Sequence, residues 1–183
     1  MTATMPADLP AQPLPVNAFL NSLVIRPERS ADADAVEGLH AAVFGPGRFA
    51  RTAFRLREGV PHDPDFSLVA FKGEDLVGAV RLTPIRIGET PALLLGPLCV
   101  RPELKNLGVG KTLMRRSMEA ARVAGHRLVL LVGDLSYYWP FGFRVVPPGA
   151  VEMPGPVDPA RLLIAELVAG ASEGLHGKAR GGA

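Results

Sequence analysis

The stretch LLLGPLCVRPELKNLGVGKTLM, residues 93–114, decides how the rest of the chain is read. It continues a nearly all-apolar run, residues 91–100, of the kind found in a strand covered on both faces. Gly96-Pro97 interrupts that strand. Proline lacks the N–H that a central ladder needs, so the pair predicts a β-bulge where the strand pulls away from its neighbour. An edge strand would also tolerate the proline, but the apolar run argues against an edge. A helix follows over 107–124. Leu113, Met114, Met118, Ala121 and Ala124 form its inward stripe, and Gly125 closes it.

The turn between strand and helix, KNLGVGKT, has two chemical readings. A triphosphate-wrapping loop needs a glycine five residues before Gly110, and that position is Lys105. The apolar LVLLVGD, ending at Asp134, does imitate a magnesium-holding strand. A phosphate-transfer enzyme therefore stays a named but disfavoured alternative. The other reading needs no metal. The first N–H groups of the helix have no intrahelical acceptors, Gly108 and Gly110 let a ligand approach them, and the helix dipole favours an anion there. A plain tight turn would look the same, so the loop alone decides little.

Outward from this unit the elements are short and regular. Residues 22–28 read as a strand and 31–44 as a helix with Ser30 as its N-cap; 45–47 (GPG) stop it, and 48–59 read as a second short helix. Residues 66–88 are two strands around a Gly-Glu-Asp turn, 127–134 another buried strand, and 136–143 a helical turn. Late strands come from 143–146 and 161–167. The pattern is a mixed α/β domain over 21–169, between a proline-rich tail (1–20) and a Gly/Ala-rich tail (170–183), both expected to be flexible. No internal repeat is present.

The segments LGPLCVRPELKNLGVGKTLM, GHRLVLLVGD and YYWPFGF together resemble the GNAT superfamily of acetyl-coenzyme A-dependent N-acetyltransferases. The likeness is strongest to a small bacterial branch with Leu-Gly-Pro-Leu and Tyr-Tyr-x-x-Phe-Gly-Phe motifs. The resemblance implies a central mixed sheet of six to seven strands, splayed between strands 4 and 5 and flanked by helices. It implies acetyl-CoA as co-substrate, with no metal. Leu98, Cys99 and Val100 would pair with the pantetheine arm. The backbone N–H groups of Lys105, Asn106, Leu107, Gly108, Val109, Gly110 and Lys111 would hold the pyrophosphate. Lys105 departs from the family's usual Arg or Gln, which main-chain recognition tolerates.

By the same resemblance an amine attacks the thioester directly in a ternary complex. A backbone N–H near Leu98 stabilises the developing oxyanion, and Tyr138 protonates the leaving thiolate. On residues alone, Tyr138 reads as a core aromatic beside Trp139, Phe141 and Phe143 in preference to a catalytic group, and the resemblance reverses that order. A catalytically silent acyl-CoA-binding module is the alternative function. Tyr138→Phe separates the two, lowering turnover but not coenzyme A binding in an enzyme.

Other candidates are weaker. Glu103, Asp134 and Glu89 lie near strand ends, and none is singled out as general base. Cys99, the only cysteine, reads as a buried hydrophobe rather than a nucleophile. His40, His62, His126 and His176 lack ligand spacing. Arg48, Arg51 and Arg55 would share a helical face; it is either solvated, or turned to an anionic acceptor or the cofactor's phosphates. Arg115 and Arg116 are equally ambiguous toward the 3′-phosphate.

Composition sets the outer bounds. The chain has 183 residues, 48% hydrophobic and 21% charged, with a formal net charge of +2. That length suits one domain, and the mild charge offers no polycationic surface for nucleic acid. No apolar run approaches the roughly 20 residues that span a bilayer, and the first residues lack the pattern of an export signal. The expectation is a soluble cytoplasmic protein that meets neither nucleic acid nor membrane. Its partner is a small-molecule or peptide amine, and homodimerisation is frequent in the family.

Overall fold

The computed structural model describes residues 16–182. Helices α1 (Val16–Asn21), α2 (Ala33–Phe44), α3 (Thr52–Arg55), α4 (Val109–Val123) and α5 (Leu135–Tyr138) are interleaved with nine strands. These are β1 (Val24–Pro27), β2 (Leu68–Lys72), β3 (Asp75–Ile87), β4 (Thr90–Val100), β5 (Leu128–Val132), β6 (Arg144–Val145), β7 (Val151–Glu152), β8 (Leu162–Glu166) and β9 (Gly177–Gly181). The main path runs β1-β2-β3-β4-β5-β8-β6. Its neighbours are antiparallel except for β4 and β5, which are parallel.

The all-apolar β4 is buried on both faces. Leu93 and Leu95 pack with Leu113, Met114 and Met118 of α4, whereas Ala92 and Leu94 pack with Leu128, Leu130 and Ile164. Further along, Val36 and Leu39 of α2 cover Val69, Ala79 and Cys99. Helix α4 carries its apolar positions at helical spacing and buries Leu113, Met114, Ser117, Met118 and Ala121. Ala124, expected in that stripe, is exposed, because the helix ends one residue earlier and Gly125 turns the chain at φ 90°.

Three expectations need correction. Residues 48–59 are not one helix: a 3-10 turn over Pro46–Ala50 is separated from α3 by the extended Arg51 (φ −74°, ψ 135°). Arg48, Arg51 and Arg55 therefore share no continuous helical face. The region read as a C-terminal tail contains β9, which pairs with the far end of β3 through Ile87↔Ala179, Arg86↔Arg180 and Ile85↔Gly181. Its glycines allow close approach: a Cβ on Gly177 would lie 2.7 Å from the Gly88 Cα, and one on Gly181 would collide with the Leu56 carbonyl oxygen. Finally, residues 16–20 belong to α1, anchored by the buried Phe19. The rest of the proline-rich segment, residues 1–15, lies outside the described residues, as does Ala183.

Candidate functional site

The site begins where β4 leaves β5. The two strands are paired only at Leu93↔Val129 and Leu94↔Leu130, while β5 stays paired with β8 along its whole length. The divergence coincides with the expected bulge: Val80 faces Leu98 and Leu82 faces Leu95, so Gly96 and Pro97 together oppose Arg81. Gly96 sits at φ 125°, a conformation that L side chains rarely adopt. The result is a cleft with unpaired strand edges on both sides, at Leu95–Val100 and at the end of β5.

At the wide end of this cleft stands the start of α4. Gly108 is the N-cap in the left-handed region (φ 85°), and Asn106 also has positive φ (67°). Among the described residues the N–H groups of Asn106, Gly108, Val109, Gly110 and Lys111 donate to no backbone carbonyl, whereas those of Lys105 and Leu107 close local turns. Small residues keep this mouth accessible. A Cβ on Gly110 would come within 2.9 Å of the Tyr137 Oη and 3.4 Å of the Val100 Cγ2, and one on Gly108 within 3.3 Å of Leu20. A cluster of free amides with the helix dipole behind it fits a diphosphate.

At the narrow end an open cavity of about 900 Å³ is lined by Leu98, Gly133, Asp134, Tyr137 and Tyr138, and by residues of the first third of the chain. Tyr138 is seated because residue 133 is glycine: a Cβ there would collide with its ring. Burial, aided by Tyr137 and Asp134, pushes the Tyr138 phenol up to about 12. It is therefore a neutral proton donor across the physiological range. Tyr137, whose pKa burial also raises, lines the cavity and stands over Gly110, joining the two ends of the cleft. Leu98 and Tyr138 thus share one cavity, while residues 105–111 form a separate cradle next to it. Cys99 faces the α2 side of the sheet. Its thiol contacts the Ala79 carbonyl at 3.7 Å, and burial raises its pKa to about 12, so only its backbone is offered to the cleft.

The opposite wall holds charges that sequence reasoning missed. Arg81, in the middle of β3, donates to Glu28 at 2.9 and 2.6 Å and to Glu37 at 2.6 Å. The Glu28 side chain is 2% exposed. His62 Nε2 approaches Glu28 at 3.4 Å and His40 Nδ1 approaches Glu37 at 3.6 Å; both imidazoles border the cavity. Burial, reinforced by Arg81, lowers the pKa of His40 to about 4, so it is neutral, and its buried Nε2 has no hydrogen-bond partner among the described residues. Arg57 reaches the bulge itself, donating to the Gly96 carbonyl at 2.8 Å. Apart from His40 and Glu37, which are helix neighbours, these contacts join residues 34 to 53 positions apart, which no local pattern encodes.

Of the carboxylates considered as base, Asp134 borders the cavity beside Arg161 (3.3 Å). Glu89 is 90% exposed on the β3–β4 hairpin and pairs with Arg180, and Glu103 is exposed beyond β4. Among the described residues no group of three or more His, Cys, Asp or Glu is placed to hold a metal ion, and no helix is long and apolar enough to cross a membrane.

A split parallel pair beside a glycine-lined helix mouth is a combination with close counterparts. Residues 24–146 match the acetyltransferase (GNAT) domain family. The chain belongs to this family. A relative from Escherichia coli, the uncharacterized N-acetyltransferase YjhQ, is 32% identical over 118 residues, covering 62% of this chain and 65% of that protein. The match thus spans just under two thirds of that relative's length. The GNAT fold is further matched by Escherichia coli YhbS in complex with CoA (TM-score 0.75, 22% identity, 87% of this chain and 89% of that one). A family acetyltransferase from Brucella melitensis in complex with acetyl-CoA superposes with TM-score 0.57 at 28% identity, over 81% of this chain and 97% of that one. The family expected from the sequence motifs is therefore shown, as is the mixed sheet splayed between strands 4 and 5.

Proposed function

We propose that the protein is an acetyl-CoA-dependent N-acetyltransferase that moves the acetyl group to a primary amine by direct attack in a ternary complex. The observation that carries this reading is the β4–β5 cleft opening beside the unacceptored amides of Gly108, Val109, Gly110 and Lys111. The coenzyme A and acetyl-CoA complexes of the two structural relatives support it.

When bound, acetyl-CoA supplies an activated acyl group as a thioester. The chain's own residues do the rest. The N–H groups of Asn106, Gly108, Val109, Gly110 and Lys111 bind the diphosphate, while those of Lys105 and Leu107, expected to join them, are spent on the turns that shape the loop. The edge at Leu98, Cys99 and Val100 orients the pantetheine arm as an added strand would. A backbone N–H at Leu98 faces the carbonyl oxygen on which charge develops, a preorganised donor of the kind that contributes most to such steps. Tyr138 Oη holds a proton for the departing sulfur, and its raised pKa keeps that proton in place until the sulfur gains charge.

The test is release of free thiol from acetyl-CoA across an amine panel, beside a thermal shift with coenzyme A alone. Ligand at a hundred times its dissociation constant stabilises a fold by about 2.7 kcal/mol. A clear rise in melting temperature with thiol release is expected. No shift at saturating coenzyme A would remove the proposal, and a shift without release for any amine would leave only an acyl-CoA-binding module.

A further inference from the structure

Around the cavity, cations outnumber the groups that could neutralise them. Arg48, Arg51, Arg55 and Arg57 all border it, and none forms an ion pair among the described residues. Arg48 and Arg55 donate to the carbonyls of Gly45 and Pro154, and Arg51 lies over the Phe44 ring at 5.0 Å. The carboxylates of the same wall are already engaged: Glu37 with Arg81 at 2.6 Å, Asp134 with Arg161 at 3.3 Å, and Asp158 with the Ala160 N–H at 3.0 Å.

Arg57 is the most telling of the four. Its guanidinium is drawn in beside the bulge, with one hydrogen bond, to the Gly96 carbonyl. Burial, followed by the neighbouring positive charges of Arg81 and Arg51, pushes its pKa down to about 10. A half-buried cation among cations is costly unless an anion completes it, and a guanidinium presents a planar fork suited to carboxylate or phosphate. The cofactor's own phosphates do not fill that role. Their cradle lies beyond Val100 at the α4 mouth, and Gly96 is four residues back along an extended strand, roughly 13 Å away.

We propose that the acceptor is a primary amine bearing an anionic head group, carboxylate or phosphate, which Arg57 binds beside the bulge with Arg51 at the rim. This deepens the acetyltransferase reading and rests on it. It disfavours polycationic acceptors such as polyamines and aminoglycosides, since six arginines and three carboxylates line the cavity. Because Gly96 and Leu98 are only about 7 Å apart along the strand, the amine and the anion are separated by a few bonds.

The experiment compares matched pairs: amino acids against their carboxamides, and phosphoethanolamine against ethanolamine, with spermidine as the polycation. Two readouts are used, thiol release and calorimetric binding of each probe to the full chain with coenzyme A present. The anionic member of a pair should have the higher kcat/KM by about tenfold or more, and the two pairs distinguish carboxylate from phosphate. Arg57→Gln should raise KM for the anionic probe about tenfold while leaving KM for its neutral partner and the coenzyme A thermal shift unchanged. Should that variant fail to fold, the more exposed Arg51→Gln should show the same selective loss in smaller measure. Preference for the neutral member or for spermidine overturns the anionic acceptor and leaves acetyltransfer standing. Arg57-dependent binding of the anionic probe without thiol release sustains the subsite and overturns the transferase. No binding of any anionic probe overturns the subsite.

Discussion

The Tyr138 ring occupies the space that a side chain at Gly133 would fill. The residue at the end of β5 thereby fixes the height of the phenol over the cleft. Gly133→Ala is expected to push the ring out of place, lowering kcat with little effect on coenzyme A affinity. Tyr138→Phe should do the same more severely, by about 10²- to 10⁴-fold, the usual contribution of a general acid. Equal losses in kcat and coenzyme A binding in either variant would reassign Tyr138 to packing.

The pH dependence of turnover tests the same proton. With the phenol near 12, it stays protonated up to about pH 11. The rate at saturating acetyl-CoA should rise with pH as the acceptor amine loses its proton and then level off, with no alkaline fall below pH 10. A descending limb near pH 8–9 that vanishes in Tyr138→Phe would contradict the buried, neutral tyrosine.

Gly110 and Tyr137 meet at the end of the cleft proposed to hold the diphosphate. Gly110→Ala forces the Tyr137 hydroxyl aside, since their separation would be 2.9 Å, and places a methyl group over the free amides. Coenzyme A affinity should fall about tenfold, with kcat at saturation largely kept, because a ground-state contact is lost. Tyr137→Phe in the same background should recover part of that affinity by relieving the clash.

The motif-bearing half of the molecule was legible because its constraints are local. Pro97 in an apolar strand implies a bulge, and Gly108 and Gly110 before an amphipathic helix imply an open helix mouth; both are found. The charged wall of the cavity was not legible. Glu28, Glu37, Arg57 and Arg81 meet through tertiary packing alone, and each looks like an ordinary surface charge in sequence. The terminal glycines misled for a different reason: conformational freedom and close approach carry the same residue signature, and only the partner backbone at Gly88 and Leu56 distinguishes them.

Buried charge makes the Glu28–Arg81 wall of the cavity a stability element. Arg81→Met leaves the Glu28 carboxylate enclosed without its partner, and removing one member of a buried pair costs about 3–5 kcal/mol. Chemical denaturation should show that loss, and the added change Glu28→Gln should restore part of it. If the single variant is as stable as the parent, water reaches Glu28 and the network is not buried in solution.

Acid should unfold the protein in two stages. His40, held near 4 in the fold against an ordinary 6.5, binds a proton more readily when unfolded, so its contribution is complete above pH 6.5 and is lost as pH falls toward 4. Asp32, held at about 2 chiefly by its hydrogen bond from Arg26, is lost only below its ordinary 3.8. His40→Leu should therefore flatten the denaturation midpoint between pH 6.5 and 4 while the steeper fall below pH 4 remains. An unchanged upper stage would mean that His40 is already protonated, or solvated, in the native state.

Removing residues 176–183 tests whether β9 belongs to the fold. Those residues pair with Ile85–Ile87 and lie over a cluster that includes Leu56, Ile85 and Ile87, each at most 2% exposed. Deletion uncovers that end of the sheet and leaves the outer backbone groups of β3 without acceptors or donors, where each lost buried hydrogen bond costs about 1 kcal/mol and each re-exposed large apolar side chain about 1.5–3 kcal/mol. The melting temperature should fall by several degrees, since 1 kcal/mol corresponds to roughly 2–4 °C in a domain of this size. The α4 mouth lies at the other end of β3, so coenzyme A affinity measured below the melting point should hold. A truncated chain as stable as the full one would return residues 176–183 to the status of a tail.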